Sequence, residues 1–245
     1  MQESVPVGAT EARPPAGTPA ATSAPGGSAL DDPRALQILS TEHWSLLAGR
    51  SLAYNEAFSR AGMFLTFLSA TLIVIGFLIG SQGLSPAVVP VAAVLLLADL
   101  YIGAATVGRL IDASSEELHA VRGMNRIRHA YREMVPGLEP YFVTSFHDDA
   151  RGVLAAYGTI TASDTVLANI AHGLTTMVGM VATVVAMIVG ALAALVVVGL
   201  GAGVEVALLA AVVGFLIGTA IFAVAGMRGA LAYQENIDSR FPTPD

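Results

Sequence analysis

The sequence predicts an all-α membrane protein: four transmembrane helices in two hairpins, joined by a cytosolic helical segment. Three observations carry that reading. Hydrophobic residues make up 54% of the 245-residue chain and charged residues 13%. Soluble domains carry roughly 25% charged residues, so this chain has too few to cover a water-facing surface. Its apolar residues gather into four segments, each long enough for a helix to cross a hydrocarbon core, which takes about 20 residues. All 12 basic residues are arginines, and they fall in three regions on one side of such a topology.

Residues 1–32 form a tail. Ala, Pro, Gly, Ser and Thr fill 22 of the first 30 positions with no apolar period, so this stretch cannot offset its chain entropy and reads as disordered. It has neither the basic nor the apolar region of a secretory signal. Order is expected to begin at Asp32-Pro33, an N-cap residue followed by proline at the first helical position. Residues 33–61 then read as a juxtamembrane amphipathic helix, with Leu36, Leu39, Trp44, Leu47, Tyr54 and Phe58 at roughly helical spacing. Ser40-Thr41 and Gly49 are expected to break it into two pieces.

The first hairpin covers 62–108. Its first span, 62–80, is 19 residues without a charge; its second carries one acid, Asp99. The second hairpin covers 173–227, and 173–204 holds no charge over 32 residues. Backbone groups in lipid must pair internally, and the alternation of a barrel strand is absent, so the spans are helices. Between the hairpins lies a cytosolic segment of 64 residues, 109–172. Ile111, Leu118, Val121, Met124, Ile127, Tyr131 and Met134 give its first part an apolar helical stripe that Pro136-Gly137 ends. Helix is expected again around 150–157 and 163–172, with Ser163 as a cap. Residues 228–245 form a cytosolic tail.

Arginine placement gives the orientation. The short connections 81–86 and 199–205 hold no basic residue, whereas the N-terminal region, the central segment and the C-terminal tail hold them all. By the positive-inside rule these three face the cytoplasm. Arginine without lysine, with abundant alanine and glycine, suits a GC-rich bacterial genome. The expected location is therefore the bacterial cytoplasmic (inner) membrane.

Composition also removes function classes. Without cysteine there is no disulfide framework and no thiolate chemistry. A net charge of −7 argues against nucleic acid as a partner. No nucleophile elbow, Walker A loop or Rossmann glycine motif occurs, so no enzyme activity, catalytic residue or cofactor is expected. Glu116 and His119 have the Glu-x-x-His spacing of di-iron bundles but lack a second such motif. His147-Asp148-Asp149 sits in a Pro-flanked loop without a spaced partner, so no metal site is expected there either.

Three features are candidates for function. Asp99 lies near the middle of the second span, where a charge costs several kcal/mol. It reads either as a proton or cation site or as a hydrogen-bonded carboxyl that locks two helices together. Its candidate partners are Thr66, Ser69, Thr71, Thr175, Thr176, Thr183 and Thr219. Small residues form packing ridges at Gly76 and Gly80, at Gly214 and Gly218, and at Ala186, Gly190 and Ala194. These permit close approach within one chain or between subunits, so a homo-oligomer is one outcome they allow. Arg122, Arg126, Arg128 and Arg132 form a basic cluster suited to lipid or partner contact. Anionic lipid is the obvious docking surface, but a straight helix puts Arg122 about 20 Å from the bilayer. Glu116, Glu117 and Glu133 offer the alternative, a solvated face with i,i+4 ion pairs.

Residues Glu42-His43-Trp44-Ser45-Leu46-Leu47, Asn55 to Arg60 and Met63 to Thr66 resemble a family of uncharacterised bacterial multi-span integral membrane proteins. So do Met124 to Tyr131, Glu139 to Phe142 and His147-Asp148-Asp149. The resemblance covers about residues 40–150 and implies a multi-span bacterial membrane protein with no assigned activity. The leading expectation is a non-enzymatic inner-membrane protein whose cytosolic helices contact a cytosolic protein or lipid. The alternative is a small oligomeric channel, pore or transporter with Asp99 in the ion or proton path.

Overall fold

The computed structural model describes residues 28–157, 173–235 and 238–244. Among them every regular element is helical. Two 3₁₀ turns, Ala29–Asp31 and Glu139–Tyr141, accompany five α-helices: α1 (Ala35–Gln82), α2 (Val88–Met134), α3 (Ala150–Ala156), α4 (Met177–Gly199) and α5 (Val204–Glu235). Of these, α1, α2, α4 and α5 are long and apolar enough to span a membrane. Their outer faces agree, because Ile73, Phe77, Val94, Leu208 and Ile217 all stand exposed, an arrangement that water would penalise and lipid would not. The tail predicted for 1–32 lies outside the described residues up to position 27.

Local sequence explains the helix ends. The extended Asp32 (φ −67°, ψ 126°) accepts the Arg34 backbone N–H at 2.8 Å, but α1 begins two residues later than expected, at Ala35, with Arg34 as an N-cap that makes no side-chain bond. The break expected in the following stretch does not occur, for α1 is continuous over 48 residues. Ser40 and Thr41 fold their hydroxyls back onto the Gln37 carbonyl at 3.0 and 2.8 Å, which satisfies them without opening the helix. Gly49 costs at most ~1 kcal/mol of helix propensity, too little to interrupt a helix packed against a neighbour. At the end of α2, Gly137 takes φ +93°, so the Pro136-Gly137 stop acts as expected. The helix expected at 150–157 is α3, capped by the Asp149 carboxylate, which accepts the Gly152 N–H at 3.0 Å. The second expected piece, 163–172 with its cap Ser163, lies outside the described residues. Thr176 caps α4 by accepting the Gly179 N–H at 3.1 Å.

Helix α1 runs antiparallel to α2, α2 packs on α4, and α4 packs most extensively on α5. Two cores result. One joins Ala57, Ala61, Phe64 and Leu68 of α1 to Leu96, Val107 and Leu110 of α2 and Val181, Val185 and Ile188 of α4. Gly103 makes this three-helix seam close: a Cβ there would sit 2.7 Å from Val185 Cγ2 and 2.8 Å from Phe64 Cε2. The second, smaller core lies at the charged end of the bundle, where Val121, Met124 and Val153 pack with Leu46, Leu118 and Tyr157.

The small-residue ridges divide. Gly190, Gly214 and Gly218 mesh α4 with α5. A Cβ on Gly190 would meet the Ala211 carbonyl at 2.6 Å, one on Gly214 the Gly190 Cα at 3.0 Å, and one on Gly218 the Ala186 Cα at 3.1 Å. In the ridge it is Ala193, rather than the expected Ala194, that faces Gly214, at 2.9 Å. Nothing lies within 4 Å of a Cβ on Gly76 or Gly80, so that ridge packs against no part of the described chain. Gly190→Ile should therefore separate α4 from α5 and lower stability in detergent by about 1–3 kcal/mol, read as the midpoint of unfolding. Gly80→Ile should leave the midpoint of the isolated protein within about 0.5 kcal/mol of wild type; an equal loss in both variants would contradict this packing.

Candidate functional site

Asp99 is fully buried on α2. Thr71, itself buried, brings its hydroxyl beside the carboxyl, yet neither carboxylate oxygen completes a hydrogen bond of good geometry. The other candidate hydroxyls are largely occupied. Thr66 and Ser69 donate to the Gly62 and Leu65 carbonyls at 2.9 and 2.7 Å. Thr183 and Thr219 donate to those of Gly179 and Phe215 at 2.8 and 2.9 Å, and Thr176 caps α4. A cavity of about 520 Å³ opens between α2, α4 and α5, lined by Val107, Ile111, Ala182, Phe222 and Met227 among others, but Asp99 does not line it.

Each member of the arginine cluster makes a polar contact within the chain. Arg126 places Nε 2.6 Å from Asp148 Oδ2 and donates from Nη2 to the Asp238 carbonyl at 2.7 Å. Arg122 donates to that same carbonyl. Arg128 donates to Asn125 Oδ1 at 2.8 Å. Arg132 pairs with Glu139 at 3.3 Å and lies 4.7 Å from the centre of the Phe146 ring. Of the three acids expected beside it, Glu133 lies 3.3 Å from His129 of the same helix, and Glu116 and Glu117 pair with other arginines. Glu117 binds Arg50 of α1 at 2.6 Å, and Arg109 bridges Glu56 and Glu116 at 3.3 and 3.0 Å.

These contacts build a clamp around the C-terminal segment. Asn125, fully buried, donates to the His147 carbonyl at 2.8 Å and to the Gly152 carbonyl at 3.2 Å, which fixes the loop ahead of α3 against α2. That loop presents Asp148, also fully buried. Its carboxylate accepts the Ser239 hydroxyl at 2.7 Å and the backbone N–H groups of Arg240 and Phe241 at 3.0 and 2.8 Å. In return the Asp148 N–H donates to the Phe241 carbonyl at 3.2 Å. The Phe241 ring stacks on His129 of α2, with centroids 3.9 Å apart and planes at 20°. Beyond it, Thr243 donates to Asp149 Oδ1 at 2.8 Å.

Comparison with protein-family models, curated proteins and solved structures found no match. Among the described residues no group of three or more His, Asp or Glu is arranged to hold a metal ion. The clamp was not legible in the sequence, because Asp148 and its ligand residues stand 91 to 93 positions apart with no shared period. The one hint was the pairing of an acidic His-Asp-Asp loop with a basic helix.

Electrostatics follow the geometry. Burial opposes ionisation of Asp148, but the Arg240 N–H, the Ser239 hydroxyl, the Phe241 N–H and the Arg126 guanidinium together outweigh it and hold the carboxyl well below its usual range. Burial, and then repulsion from Arg50, lowers the pKa of Arg128. Burial, and then Arg128, lowers that of His43. Because folding depresses the Asp148 pKa, the clamp's contribution is complete above the unfolded value of about 3.9 and fades as pH falls through the folded one. The chain lacks cysteine, so a nitroxide on exposed Pro244→Cys reports the segment alone. It should stay immobile from neutral pH down to about 4 and loosen only below. Asp148→Asn should loosen it at every pH, at a cost of about 3 kcal/mol. Release near pH 6 would contradict the assignment to Asp148.

Proposed function

We propose that this is a non-enzymatic bacterial inner-membrane protein whose cytosolic helices act as a protein-contact module. In this reading the four spans form two hairpins, with both termini and residues 109–172 in the cytoplasm. The one-sided arginines support the orientation.

The observation that carries the reading is the face of α1 turned away from α2. Trp44 is 68% exposed, and Leu47 and Phe58 stand exposed on the same side of the helix. Trp44 precedes the apolar span by 18 residues, about 27 Å along the axis, which is too far for the ring to reach lipid as an interfacial anchor. A tryptophan with leucine and aromatic neighbours is the composition of a protein–protein hot spot. The arginine cluster supports protein over anionic lipid as the partner, since Arg122, Arg126, Arg128 and Arg132 are already engaged within the chain.

The alternative, a small oligomeric channel or transporter, draws its support from Asp99, whose buried carboxyl has no completed hydrogen bond. One pair of measurements separates the two. A photo-crosslinking residue at Trp44 should capture a discrete partner in intact cells, and the same residue at exposed Glu133 should not. Purified protein in proteoliposomes should pass neither protons nor alkali cations. Flux that vanishes in Asp99→Asn, with no adduct from Trp44, would replace the contact module with a conduction pathway.

A further inference from the structure

The C-terminal segment is held as a bound peptide is held. Its exposure alternates: Ser239, Phe241 and Thr243 are half-buried, whereas Arg240, Pro242 and Pro244 face outward. The backbone bends at 240–241, which lets the Ser239 hydroxyl and two successive N–H groups converge on one carboxylate. The three inward residues each meet a dedicated group, Asp148, His129 and Asp149 respectively. The backbone is read as well. The Asp148 N–H and carboxylate take the carbonyl and N–H of Phe241 and the N–H of Arg240, while Arg122 and Arg126 converge on the Asp238 carbonyl. Main-chain bonds for affinity and side-chain contacts for specificity are how proteins capture peptide segments. The groove itself comes from α2 and the loop ahead of α3, fixed by buried Asn125.

We propose that the cleft between α2 and residues 145–149 is a peptide-binding site for a Ser-x-Phe-Pro-Thr segment of a protein partner, and that the chain's own residues 238–244 occupy it in cis. This rests on the reading of the charged end as a protein-contact module, and it adds the ligand pattern and the means of control. A tethered segment acts at an effective concentration on the order of millimolar, so the cleft stays closed until a partner segment binds more tightly or the tether is pulled away. Asp148 sets the specificity: its carboxylate accepts two N–H groups and one hydroxyl, so a segment lacking the serine leaves a buried charge less satisfied. The His129 face selects for the aromatic ring two residues on.

The test uses the full chain in nanodiscs, with residues 236–237 replaced by a protease recognition sequence. The probe is a fluorescent synthetic peptide of residues 237–245. After cleavage and washing, the peptide should bind saturably, and at least tenfold more weakly before cleavage. Binding should fall at least tenfold with Asp148→Asn in the protein, and equally with Phe241→Ala in the peptide, a change that leaves the protein's fold untouched. No saturable binding to cleaved protein up to about 1 mM, or equal binding of a scrambled peptide, overturns the proposal. Peptide binding without any adduct from Trp44 in cells would remove the contact-module reading and leave the cleft standing. A Trp44 adduct without peptide binding would do the reverse.

Discussion

Lipid does not tolerate charge, and that exclusion organises this molecule. Every ion pair described lies between residues 32 and 60 or between 109 and 148, clear of the four apolar stretches. The two ends of the bundle are consequently held by different physics. Where helices are long and apolar, burial against lipid gains little, and association depends on close approach of small residues. Gly190, Gly214 and Gly218 supply that for α4 and α5, and Gly103 for the three-helix seam. At the charged end, oppositely charged side chains fix α1 against α2, and Leu46 seats its Cδ1 2.8 Å from where a Gly123 Cβ would be.

Local chemistry made much of this legible in advance. Apolar length announced the four long helices. Asp32-Pro33 announced the start of α1 to within two residues and Pro136-Gly137 the end of α2, because caps and stops act over three or four residues. What the sequence could not convey was which partner each surface would find. The pentapeptide GFLIG occurs twice, and in one copy both glycines pack while in the other they face open space. Ser40, Thr41 and Gly49 looked like breakers, but hydroxyls that bond their own helix carbonyls and a single glycine are too weak to interrupt α1. The arginines read as a surface, but long-range contacts with Asp148 and the Asp238 carbonyl engage Arg122 and Arg126 within the chain. Asp148 itself looked like a stray loop acid, for nothing near it in sequence names Ser239 or Phe241.

Asp99 stands apart from both regimes. It is a fully buried carboxyl on α2, one turn from buried Leu96 and Gly103 of the three-helix seam. A polar group there is costly wherever it lacks a partner, and a chain can carry it only because the surrounding apolar contacts are good. Thr71 is the sole buried hydroxyl of α1 among the described residues, which ties any role of Asp99 to the α1–α2 contact rather than to the cavity near Phe222.

The continuity of α2 has a mechanical consequence. The helix extends without interruption from Val88 to Met134 over 47 residues, about 70 Å, carrying Asp99 near one end and Arg122, Arg126 and His129 near the other. It is a lever. Asp99 and Met134 are about 52 Å apart along the axis, so tilting the rod by about 5° at the first swings the second by about 5 Å. That displacement exceeds the length of every hydrogen bond holding Ser239 and Phe241. Leaning is one way a long span meets a change in bilayer thickness, and a rod of this length would carry any lean at Asp99, amplified, to Arg122, Arg126 and His129.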